Sequence, residues 1–199
     1  MKKRKKQIKQ LWQGLVESAF DFFEKAISEY EQFPKYAVLH LAASVELFLK
    51  SRLMAEHWSL IFASDSKPNF DKFYTGDFQS ATLRNTIEKL NGILPNNLQV
   101  STDAVKEFES LAKERNKIAH FLHSKLNDKK LQELIVSQQC RVWYYIHALI
   151  RDIWKEEYKT YTKQLDKLNK KMQDQRKFLE EKFNIIKPEL DVLKQNPKI

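Results

Sequence analysis

Cysteine is almost missing from this chain, with Cys140 alone among 199 residues. No disulfide framework and no multi-cysteine zinc site can be built within it, which points to a reducing setting and an expected cytoplasmic location. Glycine is nearly as scarce, with three residues, and proline contributes five. A β-rich protein of this length needs more turn punctuation than that, so the shortage favours long helices with few connections. Long hydrophobic runs are lacking too. The most apolar stretch, Tyr36 to Leu49, is interrupted by His40, Ser44 and Glu46 and is too short to cross a bilayer. The basic start (Lys2, Lys3, Arg4, Lys5, Lys6) is followed by Trp12 and Leu15 but soon by Glu17, Ser18 and Asp21. It therefore does not read as a signal peptide, and no membrane partner is expected.

Acidic charge falls short of basic charge by nine, 26 Asp and Glu against 35 Lys and Arg. The surplus sits at the ends: residues 1–10 carry six positive charges and no negative ones, residues 155–199 a surplus of four, and the stretch between is −1. Such ends can attract phosphate, making Lys2, Lys3, Arg4, Lys5 and Lys6 candidate RNA contacts, or they can serve solubility alone. Familiar catalytic signatures are absent: no Gly-rich phosphate loop, no His-Glu-x-x-His and no Gly-x-Ser-x-Gly.

What is present is apolar periodicity on a chain that is 42% hydrophobic, with four Trp and thirteen Phe. Leu11, Leu15, Ala19, Phe22, Phe23, Ala26, Ile27 and Tyr30 predict a helix over about Lys9 to Gln32. Pro34 opens a second helix to about His57, since a missing N–H costs little at a helix start. Ser64 to Gly76 reads as a functional or mobile loop. A short helix is expected over Ala81 to Leu90, another after a cap at Ser101 or Thr102, and a last core helix after a cap at Asn127 or Asp128. In the tail, Trp154, Tyr158, Tyr161, Leu165, Leu168 and Met172 are spaced 4, 3, 4, 3, 4, a heptad seam. Gln175 breaks it, Leu179 continues it, and Phe183, Ile186 and Leu190 follow after a one-residue phase shift. The tail reads either as one long helix packed on the body or as a helix packed on a second copy. The chain thus divides into an all-α unit, 1–154, and a helical extension, 155–199.

One short segment concentrates reactive side chains: Arg115-Asn116-Lys117-Ile118-Ala119-His120. Asn116 and His120 are four residues apart and share a helix face. Arg115 lies roughly 100° to the side, within swing of the same spot. An imidazole can move protons near neutral pH, a guanidinium can brace a charged phosphate, and an amide can orient either. The set has no protein nucleophile and no metal ligands beyond His120 and His123, three residues apart, which could share a metal only with a third ligand. Phosphodiester cleavage without either is easiest when the substrate carries its own nucleophile, as RNA does in its 2′-OH. By spacing alone the pattern is weak, since a chain of this composition produces an Arg-x-x-x-x-His match by chance about one time in five.

Its context is more specific. Arg-Asn-x-x-x-His late in a helical chain, after a helix reading Ala43-Ser44-Val45-Glu46-Leu47-Phe48-Leu49-Lys50-Ser51-Arg52-Leu53, resembles the HEPN superfamily over roughly residues 10 to 154. The resemblance implies an up-down helical bundle, here with a long C-terminal helical extension, that works as a homodimer. It implies metal-independent cleavage of single-stranded RNA, without a cofactor, in toxin–antitoxin pairs or anti-phage defence, and so a possible antitoxin or defence-system partner. Carried over by position, Arg115 and His120 match the catalytic pair and Asn116 the polar second residue. Glu46 matches the acidic residue of the second helix that hydrogen-bonds near the site; its other reading is a surface carboxylate paired with Lys50. One departure stands out. Leu122 occupies the position where many such toxins have a tyrosine that a nucleotidyltransferase modifies. The alternative function is a non-catalytic RNA-binding or protein-interaction module that uses the tail as its working surface.

Overall fold

The structure, a computed structural model, describes residues 2–120 and 129–195, with side chains described to residue 192. Among the described residues every regular element is a helix, apart from an isolated antiparallel bridge between Phe62 and Ser80. No helix among them is long and apolar enough to cross a membrane.

Helix α1, Lys2–Glu29, and helix α2, Pro34–Glu56, form the most extensive helix pair. Trp12 Nε1 donates to the Ser51 carbonyl at 2.9 Å and Ser44 Oγ to the Ala19 carbonyl at 2.8 Å, so the pair runs antiparallel. The first helix starts seven residues earlier than its apolar pattern predicts, because the Lys-rich run is a good helix former even without a buried face. Pro34 stands at the start of α2, as its missing N–H allows. Helix α2 is the axis of the bundle, in contact with α1 and with three of the helices that follow. Its apolar residues lie all round it, the pattern of a helix enclosed by neighbours.

The stretch predicted as a loop, Ser64 to Gly76, is in part a packed helix. It holds α3, Phe70–Thr75, capped by Asn69 and closed by Gly76, whose φ of 78° is a left-handed conformation that glycine adopts without strain. Trp58, Phe62, Phe70, Phe73 and Phe78 pile edge-on and face-on around it. Helix α4 spans Leu83–Ile93, capped by Thr82. It continues past the predicted stop at Asn91-Gly92 because the Asn91 amide is occupied elsewhere, bonding both the N–H and the carbonyl of Val100. Helix α5, Thr102–His120, crosses α2, and α6, Lys129–Ala148, packs on both. The expected caps at Asn127 and Asp128 lie outside the described residues.

The tail is not one long helix. A five-residue π-helical segment, Leu149–Ile153, ends at Trp154; then follow α7, Lys155–Tyr158, α8, Thr162–Gln173, and α9, Arg176–Gln195. The break before α9 falls at Asp174 and Gln175, where the seam has no apolar residue. Trp154, Tyr158, Leu165, Leu168 and Met172 are buried in the same core as α1 and α2. The Tyr158 hydroxyl, 2.6 Å from Ser51 Oγ and 3.1 Å from the Phe48 carbonyl, ties the tail to the middle of α2. The core thus runs on through residue 154 without interruption.

Candidate active site

Helix α5 carries Arg115, Asn116 and His120 in its last turns, where α2 crosses beneath it. Phe108, Leu111 and Ile118 anchor α5 through its apolar side. That leaves Lys113, Asn116 and His120, at i, i+3 and i+7, as a polar stripe on another side.

The guanidinium of Arg115 does not swing toward His120. Its Nη2 donates to Glu46 Oε1 of α2 at 2.9 Å. Glu46 Oε2 meets Lys50 Nζ at 3.4 Å, and Lys50 also donates to Ser80 Oγ at 3.1 Å. Glu46 therefore serves both readings open at the sequence level, pairing with Lys50 and reaching the motif. Arg115, Glu46 and Lys50 line a cavity of about 550 Å³ together with Arg84, Lys113 and Asn116. Four cations in that wall outnumber two carboxylates, Glu46 and Glu109, so the lining carries a positive surplus that favours an anion over a cation.

His120 opens onto a neighbouring hollow of about 510 Å³, bounded by Ser110, Lys113, Glu114, Asn116 and Lys117. Asn116 and Lys113 border both spaces. The motif residues are therefore adjacent but not convergent within one chain. Arg115 and Asn116 share one cavity, Asn116 and His120 the other, and the carboxylate of Glu46 is what holds the arginine on its own side.

Comparison with family models, with curated proteins and with solved structures returns no match for this chain.

The basic N-terminus is helical and exposed but does not enter either space. Arg4 lies over the rings of Phe70 and Trp58, with 3.8 and 5.2 Å to their centroids, and so helps to cover the aromatic cluster. With Lys5 it borders a separate hollow at the C-terminal end of α2, near Met54 and Trp58. Among the described residues no group of three His, Cys, Asp or Glu side chains is arranged to hold a metal ion. His123 of the possible His120–His123 pair, and Leu122, lie outside the described residues.

Sequence reading missed Lys50 as a cavity residue, and Ser80, Arg84 and Lys113 altogether. Lys113 was findable, being in helical register with Asn116 and His120. Ser80 and Arg84 were not, because the segment after α3 is brought beside α2 by pairings between residues far apart in the chain, among them the Phe62–Ser80 bridge, the Ala81 N–H bond to the Ile61 carbonyl and the Lys50–Ser80 bond.

Proposed function

We propose that the chain is a metal-independent endoribonuclease for single-stranded RNA, acting as a homodimer. The observation that carries the reading is Arg115, braced by Glu46 in the wall of a cationic cavity one residue away from the amide that borders the His120 hollow. A phosphodiester seated among Lys50, Lys113 and Arg115 has its negative charge neutralised by fixed cations. The ribose 2′-oxygen attacks phosphorus and the bond from phosphorus to the 5′-oxygen breaks. The products are a 2′,3′-cyclic phosphate and a free 5′-hydroxyl. The 2′-OH proton leaves to a base and the departing 5′-oxygen gains one from an acid. One His120 per chain can perform one of those transfers, and a second copy related by two-fold symmetry supplies the other. Asn116 orients the phosphate or the imidazole. The exposed Lys2, Lys3, Lys5 and Lys6 draw RNA in from a distance, with a steep salt dependence. The HEPN resemblance makes a toxin or an anti-phage defence effector the biological setting, with an antitoxin or defence-system partner.

A second reading, a non-catalytic RNA-binding or protein-interaction module, is favoured by the separation of Arg115 and His120 into two spaces. Incubation of the full chain with single-stranded RNA in EDTA decides between them. The nuclease reading requires cleavage with cyclic-phosphate ends that falls by about 10²- to 10⁴-fold in His120→Ala, the usual worth of a positioned acid or base. Absence of cleavage, or equal cleavage by the variant, leaves the binding module.

A further inference from the structure

Helix α9 has two apolar sides, and the body covers one of them. Phe178 is buried against Trp143, and Glu181 reaches Arg141 of α6 at 3.2 Å. On the other side Leu179, Phe183 and Leu190 are 47, 53 and 37% exposed, and Ile186 completes the row half-covered. The four are spaced 4, 3 and 4 residues apart, the register of a coiled-coil seam. An apolar row of this length on an outer helix marks a contact surface.

The charges beside the row select its occupant. Glu180 and Lys187 flank it on one edge, Lys182 and Glu189 on the other. When a second α9 lies antiparallel, Phe183 faces the partner's Ile186 and Leu179 faces the partner's Leu190. Each edge then meets the same edge of the partner. Glu180 comes beside the partner's Lys187, and Lys182 beside the partner's Glu189. All four flanking contacts join opposite charges. A parallel pair would instead set Lys182 beside the partner's Lys187. Pro188, inside the helix, stands on the side away from the row, so its ring does not intrude on the seam.

We propose that α9 is a self-association surface, on which a second copy of this chain docks through antiparallel pairing of the two helices. The contact is isologous, the self-complementary kind that two-fold symmetry requires. It lies on an element distinct from the one that bears Arg115 and His120, so it stands or falls independently of the nuclease reading. Two different two-fold contacts on one chain would link dimers into a tetramer or a longer array.

Light scattering on the full chain over a concentration series measures it. The wild type is expected to self-associate, and Phe183→Glu, an exposed change that leaves helical circular dichroism intact, is expected to lower its mass at least twofold. Glu180→Lys and Lys187→Glu, each placing two like-charge pairs in the seam, should each weaken association by roughly tenfold, and the double exchange should restore it. A monomer at all concentrations, a mass indifferent to Phe183→Glu, a tighter complex in Lys187→Glu, or a double exchange that fails to restore association would each overturn the proposal.

Discussion

Two arginines on neighbouring helices show what burial makes of the same side chain. Arg52 of α2 is 2% exposed, and its guanidinium reaches Glu56 at 2.6 Å and Glu157 at 3.3 Å. Arg115 of α5 is 35% exposed, is bonded to Glu46, and borders an open cavity. The first has its charge sealed between α2 and the tail and serves the fold. The second is held firmly enough to be oriented yet remains accessible to an anion. The same division runs through the other polar groups. Ser51 and Tyr158 are spent on each other inside the body and His147 is half-buried, whereas Lys50, Lys113 and Asn116 stand at its rim.

The sharpest way to break that comparison is at Arg52. Arg52→Ala removes the cation shared by Glu56 and Glu157 and empties a buried volume, and is expected to cost about 2–4 kcal/mol, read as a shift in denaturant midpoint. Arg115→Ala is expected to leave stability within about 1 kcal/mol, as for a partly exposed ion pair, and to lower RNA cleavage by about 10²- to 10³-fold. A large loss of stability in Arg115→Ala would place it with Arg52 and end the distinction. Tyr158→Phe leaves Ser51 Oγ with its own bond to the Phe48 carbonyl, so the expected loss is only about 1–2 kcal/mol, with cleavage per folded molecule unchanged.

The last expected effect concerns His147. Burial, with Arg151 adding to it, lowers its pKa from 6.5 to about 4. The unfolded chain therefore takes up this proton more readily than the folded one. The stabilising neutral form is fully in place above pH 6.5, and stability drains away as the pH falls from there toward 4. His147→Gln is expected to flatten that part of the profile, measured as the difference in denaturant midpoint between pH 7 and pH 5. An unchanged slope would mean that other groups carry the acid sensitivity.

The two halves of the tail seam extend the comparison. Up to Met172 its apolar residues are consumed by the body, and from Leu179 onward the same spacing faces outward. Heptad spacing reports that a helix has an apolar side without saying what covers it. The break at Gln175 was visible in the sequence; that it separates a buried stretch from an exposed one was not.

What the sequence by itself determined is the helical character, the Pro34 start, the shared face of Asn116 and His120 and the break at Gln175. These depend on local periodicity and on residues close along the chain. Tertiary structure alone decided that Phe70 to Thr75 packs as an aromatic cluster rather than lying open. It also decided that residue 154 lies within a continuous core and that Ser80 and Arg84 stand beside Lys50. Above all it decided where Arg115 points. Helical spacing placed its side chain within reach of His120, but Glu46, 69 positions earlier, accepts its guanidinium N–H at 2.9 Å.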